Sequence, residues 1–509
     1  MQLTVKTDYD RAVYDKESVV DMMATIEAPR AKAARNAVNV VAVIDRSGSM
    51  GDQVEGGMTK LDYVRFSLYK MIDNMTDADH LALVFFDNEV VAQPFLQMTT
   101  GGKERCKAMI ASTHQRGMTN ISAAIEKANE FFANFEGSGG SVSRVMLLTD
   151  GDANEGATDW AGFEPIISRK RQAVGLSCFG YGVQYKEDLL DQMAKAGGGG
   201  HYYIQNLDAV PKSFAAELGG LLSCHAQQVV LTVSPHKGGE VVDVLNDFTV
   251  RTENDKDKGC VTRIEVGDIY AGERRNVVVR IKCTARDQAL PRPVTVADVG
   301  LSFVRVGEKD AATTDAKVKL AFVKGKEDLP PAEKDKEVAE QVALLEAANA
   351  QAKAKQMADA GDVQGAMSLL GSSAGVLRNL GTNSAVRYAA VMTDMRDGMS
   401  HGYSAGNAVS KGMLNMSASL KRSRVAYTMS AAPAAAFCDR DMVANDVIAS
   451  TLQSFTAAAD PNDPLGVVGT GQTGSAVGQA STTGAEDQDT LGANGTRGFG
   501  KRRRSTWQQ

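Results

Sequence analysis

The stretch that decides the fold is NVVAVIDRSGSM, residues 39–50. Residues 40–44 form a continuous apolar run, as expected of a parallel strand that is buried on both faces. Asp45 ends the run, and Ser47 and Ser49 follow it in a loop. In an open α/β sheet, ligands bind beyond the carboxyl ends of the strands. The stretch therefore predicts a strand that delivers polar side chains to a ligand-binding crevice.

Strand-like and helix-like segments alternate on the carboxyl side of this stretch, from about residue 37 to residue 223. HLALVFF (80–86) and RVMLLTD (144–150) are further apolar strands. A stretch with helical periodicity lies between the first strand and HLALVFF. One face of that helix carries Leu61, Val64, Leu68, Met71 and Ile72. The alternation predicts a doubly wound, Rossmann-like α/β domain over residues 37–223, with right-handed crossovers.

Residues 1–36 precede this domain and contain two strand-like stretches, 2–7 and 17–27, separated by turn-like residues. Residues 224–326 contain short strands at the spacing of a β-sandwich. An isolated hairpin is only marginally stable. We therefore expect residues 1–36 to join the sandwich at 224–326, so that the α/β domain is inserted within it.

The carboxyl-terminal part of the chain has a different pattern. Residues 327–430 show helical periodicity, with two helices predicted to join at Gly361. Residues 431–509 form a tail that is mostly rich in Gly, Thr, Ser and Ala, and we predict that it is mostly disordered. Its KRRR at 501–504 fits a nuclear signal, a contact for an acidic partner or a solvated charge run.

Composition and charge argue against several classes of protein. The 509 residues carry a net charge of -6, which disfavours bulk attraction to nucleic acid or to an anionic membrane. No stretch approaches the roughly 20 apolar residues that span a bilayer, and the amino terminus lacks the pattern of a signal peptide. The six cysteines are scattered, which is typical of buried thiols in a reducing compartment. We predict a cytoplasmic protein without a membrane span.

Oxygen-bearing side chains stand where the predicted strands end. Asp45, Ser47 and Ser49 have the spacing D-x-S-x-S, Asp150 ends a second strand, and Thr119 lies just before a predicted helix. Oxygen-only ligands suit a hard cation such as Mg²⁺. The alternative is that the two serines cap the following turn and Asp45 merely ends its strand.

These five residues resemble the metal-ion-dependent adhesion site (MIDAS) of the von Willebrand factor type A (VWA) family. The resemblance covers roughly residues 37–223, and all five positions of the family's site are present. It implies that Ser47 and Ser49 bind the cation directly, while Asp45, Thr119 and Asp150 hold it partly through waters. An acidic residue of a partner would complete the octahedron. The expected cofactor is Mg²⁺, with Mn²⁺ or Ca²⁺ as alternatives.

The order of segments extends this likeness beyond the VWA domain. Strands, VWA domain, sandwich and helices follow one another as in intracellular multi-domain proteins similar to inter-alpha-trypsin inhibitor heavy chains. Some relatives of this kind are ubiquitin ligases that carry a RING finger. This chain lacks the Cys/His spacing that a RING finger needs, so the resemblance does not imply ligase activity.

Two functions follow from the resemblance. The first is a non-enzymatic, metal-dependent protein-binding or scaffold protein that captures an Asp or Glu of a partner. The alternative is an accessory or regulatory subunit of a MoxR- or chelatase-like AAA+ ATPase, which would be a separate chain because this one has no Walker motif. An enzyme would need a nucleophile–base pair, and no His or Lys adjoins the site in the sequence. We therefore predict no catalysis.

Overall fold

The structure of the chain is a computed structural model. It describes residues 1–422 apart from the segments 31–34, 54–56, 136–139, 151–152, 170–173, 182–185, 205–208, 237, 256–258, 309, 325–333 and 405–407. The predicted disordered tail, with KRRR, lies outside the described residues, as do residues 423–430 of the predicted helical segment.

Strands and helices occupy most of the described chain. The strands are β1 (Gln2–Thr7), β2 (Arg11–Val13), β3 (Ser18–Glu27), β4 (Ala37–Asp45), β5 (His80–Phe86), β6 (Val90–Gln97), β7 (Ser141–Thr149), β8 (Val174–Tyr181), β9 (Gly198–Ile204), β10 (Cys224–Pro235), β11 (Glu240–Val244), β12 (Thr249–Asp255), β13 (Gly259–Tyr270), β14 (Arg274–Cys283), β15 (Leu290–Arg305) and β16 (Ala311–Val323). The helices are α1 (Lys60–Asn74), α2 (Thr100–Ala111), α3 (Ile121–Ala133), α4 (Trp160–Ser168), α5 (Glu187–Gly197), α6 (Ala209–Leu222), α7 (Lys336–Asp359), α8 (Val363–Leu380), α9 (Asn383–Ser400) and α10 (Ala408–Lys421). A short 3-10 helix, Gly48–Gly51, follows β4.

A six-stranded sheet with the order β6-β5-β4-β7-β8-β9 forms the centre of the α/β domain. Its neighbouring strands are parallel except for β6, which runs antiparallel to β5. The first strand of the domain, β4, lies between β5 and β7, so the strand order changes direction beside it. The carboxyl ends of β4 and β7 therefore flank the crevice where ligands bind in folds of this kind. The predicted doubly wound fold is confirmed.

Helices cover both faces of this sheet, which explains the continuous apolar run in β4. Val40 and Ile44 pack with α1, α2 and α6 on one face. Val41 and Val43 pack with α3, α4 and α5 on the other face. The predicted apolar face of α1 is confirmed, because all five of its residues lie in the first of these two cores.

Two further sheets combine strands from both sides of the α/β domain. One has the order β1-β3-β14-β11, and the other has the order β12-β13-β10-β15-β16-β2. β3 pairs antiparallel with β14 from Ser18–Cys283 through Glu27–Arg274. Buried residues of the two sheets share one hydrophobic core. The prediction that the amino-terminal strands pair with the region after the α/β domain is confirmed.

Two strands of these sheets were not expected from the sequence. β2 lies within the residues predicted as a turn, and it pairs in parallel with β16 over three residues. β11 forms an edge of the first sheet, and none of its residues is fully buried. A strand of three residues is too short to show a period, and an exposed edge strand lacks the alternation of apolar residues that marks a half-buried strand.

The carboxyl-terminal helices pack against one another and against the first of these sheets. α7 and α8 join at Gly361, which has a φ of 97° that glycine adopts without strain, and the prediction of two helices meeting there is confirmed. The amino-terminal half of α7 contacts the sheet through a small apolar cluster of Met23, Leu245, Val278, Val338, Val342 and Leu345.

Candidate metal centre

Two buried carboxylates lie at the adjacent carboxyl ends of β4 and β7. Asp45 is the last residue of β4, and Asp150 directly follows β7. Both are almost fully buried, with exposed fractions of 0% and 1%. The Asp45 carboxylate accepts hydrogen bonds from Thr149 Oγ1 at 2.5 Å and from the Ser47 backbone N–H at 2.7 Å. These bonds hold the carboxylate in one orientation at the strand end.

The two serines of the D-x-S-x-S segment connect the two strand ends. The Ser47 and Ser49 hydroxyl oxygens lie 3.2 Å apart. Ser49 Oγ also donates a hydrogen bond of 2.9 Å to Asp150 Oδ1. The structure thus brings four of the five predicted residues into one continuous cluster of oxygen atoms.

Thr119, the fifth predicted residue, lies in the loop before α3 and is buried. Its backbone N–H donates to Asn154 Oδ1 at 2.8 Å, and its carbonyl accepts from the Asn154 N–H at 3.1 Å. Two residues earlier, the Gly117 carbonyl accepts from the Gly48 N–H at 3.3 Å. The loop is therefore fixed to both segments that carry the other four residues. Among the described residues, no hydrogen bond joins the Thr119 hydroxyl to the side chains of the other four.

Lys60 is a member of this cluster that sequence reasoning missed. Its ammonium donates to Asp150 Oδ2 at 2.6 Å and to Asp52 Oδ2 at 3.0 Å, and 11% of its side chain is exposed. Lys60 is the first residue of α1, whose amino terminus is capped by Thr59. No Lys adjoins the site in the sequence. Because α1 begins close to the end of β7, its first residue, Lys60, nevertheless reaches Asp150. A lysine at the start of the helix that follows β4 was the available signal.

Burial and neighbouring charge set the protonation of the cluster. Burial raises the pKa of the Asp45 carboxyl to about 7, despite the hydrogen bonds from Thr149 and Ser47, and the charge of Asp150 adds to the rise. Burial lowers the pKa of Lys60, but the hydrogen bonds and charges of Asp150 and Asp52 together outweigh this effect, so that the pKa is raised. Lys60 therefore carries its charge at neutral pH.

The oxygen spacings of the cluster fit an octahedral cation. With bonds of roughly 2.0–2.1 Å to Mg²⁺, adjacent ligands lie about 2.9 Å apart. The Ser47–Ser49 and Ser49–Asp150 oxygen separations are 3.2 and 2.9 Å. No group of three or more His, Cys, Asp or Glu side chains that could hold a metal occurs within the described residues. A metal at this cluster would be held by the serine hydroxyls together with the carboxylates.

A third buried carboxylate, Asp87, lies at the rim of the cluster. It follows β5 and accepts from Arg116 Nε at 2.7 Å, with Arg46 Nε also 3.0 Å away. The Nη2 atom of Arg116 also forms an ion pair with Glu89, which is on the surface. Met118, next to Thr119, is 51% exposed. The rim thus combines a half-exposed arginine with an exposed apolar side chain beside the buried oxygen cluster.

Comparisons with known proteins agree with this fold. The family described as von Willebrand factor type A domain matches residues 39–214. The chain is 30% identical over 197 residues to the uncharacterized protein YfbK of Escherichia coli (strain K12), covering 38% of this chain and 33% of that protein. It is 30% identical over 166 residues to inter-alpha-trypsin inhibitor heavy chain H3 of Mus musculus, covering 31% of this chain and 18% of that protein. The chain therefore spans a third or less of these relatives' lengths.

Two solved structures resemble a larger part of the chain. A von Willebrand factor type A protein from Catenulispora acidiphila has a TM-score of 0.63 at 17% identity, over 84% of this chain and 97% of that one. The ArnB paralog VWA2 from Sulfolobus acidocaldarius has a TM-score of 0.55 at 15% identity, over 83% of this chain and 98% of that one. At these identities the likeness concerns the fold alone.

The described helices include none that is both long and apolar enough to cross a bilayer. The strand order, the position of the oxygen cluster and the family match concern the same segment of the chain. Residues 39–214 therefore form a von Willebrand factor type A domain, the class of module that typically mediates interactions between proteins.

Proposed function

We propose that this protein is a non-enzymatic, metal-dependent binding or scaffold protein whose VWA domain carries a MIDAS. The site would consist of Asp45, Ser47, Ser49, Thr119 and Asp150. The observation that supports it is the buried oxygen cluster at the ends of β4 and β7, with neighbouring oxygens 2.9 and 3.2 Å apart.

Each residue has a role in this proposal. Ser47 and Ser49 would hold Mg²⁺ directly, while Asp45, Asp150 and Thr119 would hold it partly through waters. The bound cation would supply an open coordination position for an Asp or Glu of a partner protein. Thr149 keeps the Asp45 carboxylate oriented, since it donates at 2.5 Å to the oxygen that Ser47 does not contact.

The chemistry of the cluster favours binding over catalysis. A general base must be free to accept a proton from a reacting group. The Lys60 ammonium is held by two carboxylates at 2.6 and 3.0 Å, and neighbouring charge raises its pKa. Lys60 is therefore a fixed positive charge and not a base.

We also propose an architecture in which the VWA domain, residues 37–223, is inserted in a β-sandwich made of residues 1–36 and 224–326. A helical region, 327–430, would follow, as in intracellular proteins similar to inter-alpha-trypsin inhibitor heavy chains. The pairing of β3 with β14 supports this, because it connects the two sides of the insertion in one sheet. The binding domain would then be anchored at both of its ends.

Isothermal titration of the full chain with Mg²⁺, and separately with Mn²⁺, tests the metal site. We expect saturable binding to the wild type and none to the Asp45→Ala/Ser47→Ala double variant, because both carboxylate and hydroxyl ligands are then lost. Bound metal should raise the melting temperature, since a ligand at 100 times its Kd stabilises the native form by about 2.7 kcal/mol.

The matched control is Asp73→Ala, which removes a carboxylate from the exposed end of α1. It should bind Mg²⁺ like the wild type. Equal affinity in the wild type and the double variant would overturn the proposed site.

A further inference from the structure

The charged ammonium of Lys60 lies beside one carboxylate of the cluster, that of Asp150. Its ammonium lies 2.6 Å from Asp150 Oδ2, while the other oxygen of Asp150 accepts from Ser49. Its second partner, Asp52, is on the surface with 61% of its side chain exposed, so solvent screens that contact more strongly. The main charge partner of Lys60 is therefore Asp150.

The arrangement matters because two carboxylates are buried close together. Asp45 and Asp150 have exposed fractions of 0% and 1%, and buried like charges repel each other unless a cation compensates them. When both carboxylates are ionised and Lys60 is charged, Asp45, Asp150 and Lys60 sum to a charge of −1. A divalent cation raises the sum to +1, so that one positive charge is left uncompensated at the loaded site.

We propose that Lys60 is an internal counter-ion of the site, which keeps the metal-free cluster assembled and weakens its affinity for a divalent cation. This inference rests on the proposed metal function. It predicts two effects of opposite sign when the charge is removed. The metal-free protein should become less stable, and the metal should bind more tightly.

The test compares Lys60→Met with the wild type in EDTA and in Mg²⁺, by thermal denaturation and isothermal titration. In EDTA we expect the melting temperature of the variant to fall by about 4–8 °C, because a buried carboxylate loses its partner. In saturating Mg²⁺ most of that difference should disappear. The affinity of the variant for Mg²⁺ should rise about tenfold, since a repulsive charge a few ångströms away is gone.

Two further variants separate charge from packing. Lys60→Arg keeps the charge and should bind Mg²⁺ within about twofold of the wild type. Lys70→Met removes a lysine from the same helix, where its ammonium lies over the Phe66 ring at 5.7 Å from the centroid. It should leave the Mg²⁺ affinity unchanged.

The outcomes distinguish this inference from the proposed function. Equal or weaker Mg²⁺ binding by Lys60→Met overturns the counter-ion role while leaving the metal site intact. Failure of that variant to fold even when it is prepared in Mg²⁺ also overturns the role, because the metal should replace the ammonium. Absence of binding in both the wild type and Lys60→Met overturns the proposed function together with this inference.

Discussion

Deletion of residues 1–30 is expected to unfold the two-sheet region while the central sheet of the VWA domain stays protected. β3 lies inside its sheet, between β1 and β14, and seven of its ten residues are buried. Without β3, the backbone N–H and C=O groups of β14 that pair with it would be left without partners. The part of the hydrophobic core that packs against Met22, Ala24 and Ile26 would also be exposed. β14 and β11 would remain as a two-stranded ribbon, which is marginally stable in water.

Hydrogen exchange on the deletion variant measures this effect. Protection should be lost across Arg274–Cys283 and Glu240–Val244, and it should persist across Ala37–Asp45. A point variant on the same strand, Val19→Ser, is the control. Val19 is 52% exposed, so this substitution should lower the free energy of unfolding by less than about 0.5 kcal/mol. Unchanged protection in β14 after the deletion would contradict the pairing.

Replacement of Arg144 by Met is expected to destabilise the protein by about 3 kcal/mol. Arg144 lies on β7 with no exposed surface, and its Nε is 3.1 Å from Glu217 Oε1 of α6. Its Nη2 donates at 2.9 Å to Asp268 Oδ2 of β13. Removing the guanidinium leaves two buried carboxylates without their shared cation. The VWA sheet and the neighbouring sheet would also lose the ion pair between them.

Thermal denaturation checks this prediction, with an expected fall of roughly 6–12 °C in Tm. The double variant Arg144→Met/Glu217→Gln should recover part of the loss, because it removes one of the uncompensated charges. Lys127→Met serves as the control, since it breaks an ion pair with Glu130 whose side chains are 34% and 55% exposed. A Tm for Arg144→Met within 1 °C of that control would show that the buried pair is unimportant.

A glycine on the neighbouring strand leaves room for this arginine. A Cβ at Gly175 of β8 would lie 2.0 Å from Arg144 Nη1, closer than atoms approach one another. The guanidinium therefore occupies the space that a side chain at position 175 would need. In the sequence, Gly175 reads as an ordinary residue at the start of a strand, and Arg144 reads as a polar residue at a strand end.

Local pattern was sufficient for the α/β fold and for the placement of most of the candidate site. The apolar run before Asp45 and the one before Asp150 each predict a buried parallel strand, and such strands end at one edge of the sheet. Side chains that directly follow them must meet there. The cluster of Asp45, Ser47, Ser49 and Asp150 was predictable for this reason.

Tertiary structure alone decided which charges meet. Lys60 and Asp150 are 90 residues apart, and Arg144 and Asp268 are 124 residues apart. The spacing of apolar residues indicates which face of a helix or strand is buried, but a single charged side chain forms no such repeating pattern. Its partner depends on how helices and sheets pack, and that packing is set by apolar surface across the whole core. The sequence by itself therefore determined the α/β fold and the oxygen-bearing side chains at the ends of β4 and β7, whereas the position of the Lys60 charge beside them became visible only once the chain was folded.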